Sequence, residues 1–204
     1  MILKAERIAE LLERGREDDA EDPLVITPRP DRKALIDSGS ASVDLRLGTW
    51  FIVLRQARMT HFAIENQPSE SELTKTHYVS FGREYILHPG TFVLAVTLEW
   101  IRLPKALAAY VIGKSSWGRR GLIIATATGV HPGFTGCLSL ELTNVGEIPI
   151  AITPGMQICQ LFIHHVEVTD TDNVDQSQHV GQRKPSLGKM SHDYMSRKLA
   201  QANY

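Results

Sequence analysis

From Ser42 onward the chain alternates apolar and polar residues with a period of two, and that repeat constrains its fold more than any other feature. Val43, Leu45 and Leu47 alternate with Asp44, Arg46 and Gly48. Successive side chains in extended backbone point to opposite faces, so this is the signature of a half-buried strand. The habit returns in TFVLAVTLEWI (91–101), AAYVIG (108–113), CLSLELTNV (137–145), PIAI (149–152) and QICQLFIHHVEV (157–168). Pro-Gly pairs at 89–90, 132–133 and 154–155 punctuate these runs. Proline presets φ there, and glycine accepts the positive φ that a tight turn needs. Many short strands divided by turns specify an all-β sandwich or barrel.

Outside this region the pattern changes. In the first 15 residues Ile8, Leu11 and Leu12 share one helical face and Gly15 follows, which predicts a short helix over 3–15. Residues 16–40, rich in Asp, Pro and Arg, are expected to be mostly loop. From Asp170 the alternation is lost, so a β domain over 1–169 and a C-terminal tail over 170–204 are expected, the tail helical near 191–202. With 204 residues, 43% hydrophobic and 22% charged, the chain has ample apolar content for a core. A net charge of −1 argues against a protein that coats nucleic acid. Two cysteines, Cys137 and Cys159, cannot frame a disulfide scaffold of this size. No apolar run approaches the roughly 18 residues of a membrane span, and charges interrupt the opening stretch. The expectation is a cytoplasmic protein without a membrane or nucleic-acid partner.

Two stretches carry chemistry. Gly113-Lys114-Ser115-Ser116-Trp117-Gly118-Arg119-Arg120-Gly121 follows a strand and suits a tight turn leading into a short helix. Serines at a helix start can cap it, free N–H groups there attract anions, and arginine pairs donors with phosphate oxygens. An ordinary capped turn with solvated cations has the same composition, and the stretch lacks the upstream glycine of a P-loop. In the second stretch, Cys137–Asn144, alternation puts Leu138, Leu140 and Leu142 on one face and Ser139, Glu141 and Thr143 on the other. A covered Glu141 would suit proton transfer, whereas an open one is a surface residue. His165-Val166-Glu167 matches the H-x-E of zinc deaminases, but both cysteines lie upstream of it and 22 positions apart, unlike P-C-x-x-C.

Together GKSSWGRRGL, ATATGVHPGFTGCLSLELTN and ITPGMQICQL resemble the dCTP deaminases of the dUTPase superfamily. SASVDLRLG (40–48) and YILHPGTFVLAVTLE (85–99) resemble two further motifs of that family in the same order. The resemblance implies a distorted β-barrel or jelly-roll subunit in a homotrimer with active sites between subunits and a tail that closes over nucleotide. It implies zinc-independent deamination of dCTP to dUTP, with Mg²⁺ held through the triphosphate and dTTP as a possible inhibitor. By similarity Glu141 is the catalytic carboxylate, and Ser115 with the backbone at Ala127 places the water and the amino group. Ser116, Trp117, Gly118 and Arg119 form the phosphate turn, with Lys114 at its edge. Ser139, Leu140, His131, Gln160 and Gln182 complete the nucleotide contacts, Gln182 within the lid-like HVGQRKPS.

That chemistry is coherent. Water must attack C4 of cytosine, N3 must gain a proton, and ammonia must leave. One carboxylate can act first as base and then as acid, while prearranged donors stabilise the tetrahedral centre. The chain departs from the superfamily at Gly129-Val130-His131-Pro132, where an aspartate is usual, and at Gln178-His179, where a Lys-Tyr pair is usual. A dUTP diphosphatase or bifunctional enzyme, a 5-modified dCTP substrate and a catalytically idle nucleotide binder are the alternatives.

Overall fold

A computed structural model of the chain describes residues 1–15, 21–55, 61–64, 67–126, 129–168, 181–188 and 190–201. In chain order the elements are α1 (Ala5–Arg14), β1 (Val25–Thr27), α2 (Arg32–Asp37), β2 (Val43–Leu54), α3 (Glu70–Leu73), β3 (Thr74–Tyr78), β4 (Tyr85–Leu87), β5 (Phe92–Arg102), β6 (Leu107–Gly113), α4 (Ser115–Gly118), β7 (Leu122–Ile124), β8 (Gly129–Val130), β9 (Thr135–Asn144), β10 (Ile150–Ile152), β11 (Gln157–His165) and α5 (Tyr194–Gln201).

Each alternating run is a strand. The main sheet has nine strands in the order β7-β9-β5-β2-β11-β6-β8, with β1 added to β5 and β3 to β2, and β10 pairs with β4 separately. β7 and β6 stand near opposite ends of that order, yet they meet. A Cβ on Gly113 would lie 3.3 Å from Cγ1 of Ile124. The sheet therefore curls into a distorted barrel, and glycine allows the approach that brings its ends together. Gly90, Gly133 and Gly155 of the Pro-Gly turns all have positive φ.

Register divides the strands into two sets of side chains. Leu140 of β9 pairs with Ala95 of β5, and Ala95 with Phe51 of β2; all three are fully buried in the main core. One position along, Glu141 pairs with Leu94 and Leu94 with Ile52, on the opposite face. Leu94 and Ile52 are buried too, but apart from the main core cluster. α1 covers one end of that core with Ala5, Ile8, Ala9 and Leu12.

The region 16–40, read as mostly loop, also holds two short elements. It contains β1, which pairs with Trp100–Arg102 of β5, and α2, capped by Asp31, whose Oδ1 accepts the Ala34 N–H at 2.7 Å. Helix α5 lies within the expected helical end of the tail. The expected boundary at 169/170 falls in 169–180, outside the described residues.

Candidate active site

β6 ends at Gly113, whose position in the ladder is opposite Cys159 of β11, and the chain turns directly into α4. Ser115 and Ser116 are the first helical residues. Lys114 occupies the cap position and makes no side-chain cap, so the expected serine cap is not what starts this turn. Instead the turn is anchored from below. The Lys114 ammonium donates to Asp44 Oδ2 at 2.6 Å and to Gln157 Oε1 at 3.2 Å. The Trp117 indole N–H donates to the Gln157 carbonyl at 3.0 Å. Two side chains of the turn thus hold it to β2 and β11. Ser115, Ser116, Gly118 and Arg119 remain exposed. Among the described residues Arg119 has no ion pair, whereas Arg120 donates to the Ser116 carbonyl.

Lys114 is consequently already paired with a carboxylate, part of a polar network rather than a free cation at the rim. Gln160 belongs to the same network: its amide donates to Ser42 Oγ at 3.2 Å and Asp44 Oδ1 at 3.1 Å. Asp44 is the hub that sequence reasoning missed. Its signal was present in the quoted SASVDLRLG, as an acidic residue on the polar face of an otherwise apolar strand.

Glu141 is half-buried on the outward face of β9, beside the buried Leu94–Ile52 row. Its backbone is fixed: its N–H donates to Thr126 Oγ1 at 3.0 Å, and its carbonyl accepts from the Ala125 N–H at 2.8 Å. Among the described residues its carboxylate has no hydrogen-bond or ion-pair partner. The main chain of Cys137 turns to the same side of β9, donating to the Gln182 carbonyl at 2.8 Å. By alternation the main chain of Ser139, midway, faces that side as well. Leu140 points into the core, so only its backbone is available to a ligand. His131 is exposed in the turn after β8. Gln182 is hydrogen-bonded to Ser186. Ala127 lies outside the described residues.

The phosphate turn and Glu141 are linked through one strand. α4 leads through Gly121 into β7, and Leu122–Ile124 of β7 pair with Asn144–Leu142 of β9, immediately after Glu141. A basic turn with open serines and a half-buried carboxylate, unpaired among the described residues, therefore flank one short strand. The dCTP deaminase-like family model matches residues 2–166. The chain belongs to the dCTP deaminase family.

Two relatives match along nearly their full length. A Dictyoglomus thermophilum protein described as a dUMP-forming dCTP deaminase is 36% identical over 205 residues, covering 95% of this chain and 97% of its own. A Haloarcula marismortui protein described as a dCTP deaminase is 36% identical over 198 residues, covering 95% and 96%. Among solved structures, the 2'-deoxycytidine 5'-triphosphate deaminase of Agrobacterium tumefaciens aligns with a TM-score of 0.57 over 79% of this chain at 22% identity. The present chain spans 46% of that one, and the likeness is one of fold.

In this dCTP deaminase family member the thiols are poor nucleophiles. Burial pushes the Cys159 thiol up to about 12, and burial also raises that of Cys137. Both cysteines are free. The other buried acid is Glu99, with 2% of its side chain exposed. It sits where β2 and β5 both slip register, between Leu47 and Phe51 and between Val96 and Trp100. Its carboxylate accepts the Arg46 backbone N–H at 2.8 Å and the Arg46 guanidinium at 2.9 Å. Thr97 seals the bulge, donating to the Glu99 carbonyl at 2.8 Å and accepting the Leu138 N–H at 2.9 Å. Glu99 thus sets the frame that presents β9 and stands apart from the open face. Sequence reading overlooked it because TLE in a strand looks like ordinary alternation.

No helix among the described residues is long and apolar enough to cross a membrane.

Proposed function

We propose that this protein deaminates dCTP, with Glu141 as the proton shuttle. The observation that carries the reading is a half-buried carboxylate, without a partner among the described residues, on a strand tied through β7 to a basic, serine-bearing turn. Glu141 takes a proton from the attacking water and gives it to N3, then takes the proton of the new C4 hydroxyl and gives it to the amino group, which leaves as ammonia as the C4 carbonyl forms. Ser115 and the backbone at Ala127 hold the water and amino group, and the Ser139–Leu140 backbone reads the pyrimidine edge. Ser116 takes the phosphates through its backbone amide and hydroxyl and Arg119 through its guanidinium; Trp117 and Gly118, whose amides donate to the Lys114 carbonyl, shape the turn, and Gln182 closes from the tail. Lys114 and Gln160 support this arrangement from beneath, through Asp44.

Mg²⁺ enters as part of the nucleotide, held by phosphate oxygens. Among the described residues no group of three or more His, Cys, Asp or Glu is arranged to hold a metal.

The deciding experiment is product analysis of purified protein with dCTP and Mg²⁺, measuring ammonia, dUTP, dUMP and diphosphate. Ammonia with accumulating dUTP supports simple deamination. A second reading is favoured by the name of the Dictyoglomus relative: dCTP and two waters give dUMP, ammonia and diphosphate. Diphosphate released in step with ammonia establishes that version. Absence of ammonia overturns both. Replacing Arg119 with alanine raises KM for dCTP about tenfold or more, the value of about 1.5 kcal/mol for one charge-assisted hydrogen bond.

The active assembly is a homotrimer with sites shared between subunits. What supports this is the outer face of β6 and β11. Tyr110 and Ile112 are half-exposed there, and Tyr110 stacks at 4.9 Å on His164, whose Nδ1 is buried with no hydrogen-bond partner among the described residues. A second copy supplies the cover such a face lacks. Light scattering should give the mass of three chains, and the Tyr110→Glu, Ile112→Glu double variant a smaller species. A fully active wild-type monomer refutes the assembly.

A further inference from the structure

The described part of the C-terminal tail does not hang free; it is strapped to the strand that carries Glu141. The Gly181 N–H donates to the Thr135 carbonyl at 2.6 Å, and the Gln182 carbonyl accepts the Cys137 N–H at 2.8 Å. β7 pairs with β9 only at Leu142–Asn144, so the tail occupies the other end of the same edge. Gly136 makes the contact possible: its φ is +144°, and a Cβ there would lie 3.2 Å from both N and O of Gln182.

Two further residues, neither in the phosphate turn nor beside Glu141, grip the tail downstream. The Lys184 ammonium lies 4.0 Å from the centroid of the Trp50 ring, which is braced by Tyr78 at 5.0 Å. The Gln67 side chain pairs with the Met190 backbone as a strand would, donating to its carbonyl at 2.6 Å and accepting its N–H at 3.3 Å. Pro185, between the two grips, is buried.

We infer that Trp50 and Gln67 are positioning residues that dock the tail in cis on the Glu141-bearing subunit, so that Gln182 is presented to nucleotide without the entropy loss of ordering a free tail. The inference rests on the proposed reading of Gln182 as a nucleotide contact. It assigns the dock to Trp50 of β2 and to Gln67, and it requires tail and catalytic carboxylate to come from one chain. Ordering cost removed in advance appears as affinity, so the dock acts on KM and leaves kcat alone.

Limited trypsin digestion of the full chain tests this without substrate, since the Arg183–Lys184 bond lies within the strap and Lys184–Pro185 resists cleavage. Cleavage in the native state follows the population of the undocked tail. Trp50→Leu and Gln67→Ala should each speed cleavage at Arg183 about two- to fivefold, the range a partly exposed cation–π contact supplies. KM for dCTP should rise about as much at unchanged kcat, and Trp50→Phe should restore most of both. Lys184→Gln removes the cation from the strap side and should reproduce the Trp50→Leu effect should that variant fold poorly. Unchanged cleavage in Gln67→Ala and Lys184→Gln overturns the dock, as does a loss confined to kcat. A wild type that fails to turn over dCTP yet shows this cleavage pattern overturns the proposed function and leaves the dock standing.

Discussion

Glu141→Gln should abolish most deamination, lowering kcat by about 10²- to 10⁴-fold, the contribution of one positioned acid–base group, while KM for dCTP changes little. Glutamine keeps the shape of the side chain and can still hydrogen-bond a pyrimidine, but it cannot accept a proton from water. The loss therefore falls on the transition state rather than on binding. Stability should hardly move, because the carboxylate has no partner among the described residues and the backbone bonds to Thr126 and Ala125 are untouched. Ammonia release and a thermal melt on one preparation check both halves. Turnover within tenfold of wild type would remove Glu141 from the chemistry.

Breaking the Arg46–Glu99 pair should give the largest effect on folding. Arg46→Met leaves a buried carboxylate with only backbone donors, a loss of about 3 kcal/mol, at the lower end for a broken buried pair because Arg46 is 36% exposed. For a chain of this size that is roughly 6–12 °C in Tm. The loss should depend on pH. In the wild type, burial raises the Glu99 carboxyl above its usual range, against lowering by the Arg46 N–H and guanidinium. Removing the guanidinium raises it further. A raised carboxyl favours the protonated folded state, so its contribution is fully present below the unfolded pKa and fades as pH rises through the folded one. The gap in Tm between variant and wild type should widen from pH 5 to pH 8. A pH-independent gap would show that Glu99 is not the group left stranded.

The sequence made the barrel legible because β9 and the start of β2 have one face in the core and one outside. Val43–Leu47 and Cys137–Asn144 carry that alternation, whereas β5 is buried on both faces from Val93 to Thr97. β3 (TKTHY) was invisible: it buries only Thr74, and pairing with β2, not an apolar face, makes it a strand. α2 was hidden in a Pro- and Asp-rich stretch, although Asp31 three residues before Ala34 is the pattern of a side-chain cap. At the site, residue types and order announced the turn and Glu141, but no one-dimensional pattern could pair Lys114 with Asp44, 70 residues away. The same holds for Trp50 and Lys184, whose meeting depends on how the tail returns. Alternation can say which side of a strand a residue occupies; it carries nothing about what is laid across that side.

β9 therefore has a vulnerability that no point substitution exposes. One continuous ten-residue strand supplies both the core layer (Leu138, Leu140, Leu142) and the outward residues (Ser139, Glu141), divided only by odd and even position. Losing or gaining a single residue between the Pro132-Gly133 turn and Glu141 would exchange the two sets, driving the carboxylate inward and the leucines out. Lineages of this chain should thus tolerate substitutions along the strand far better than any change in its length.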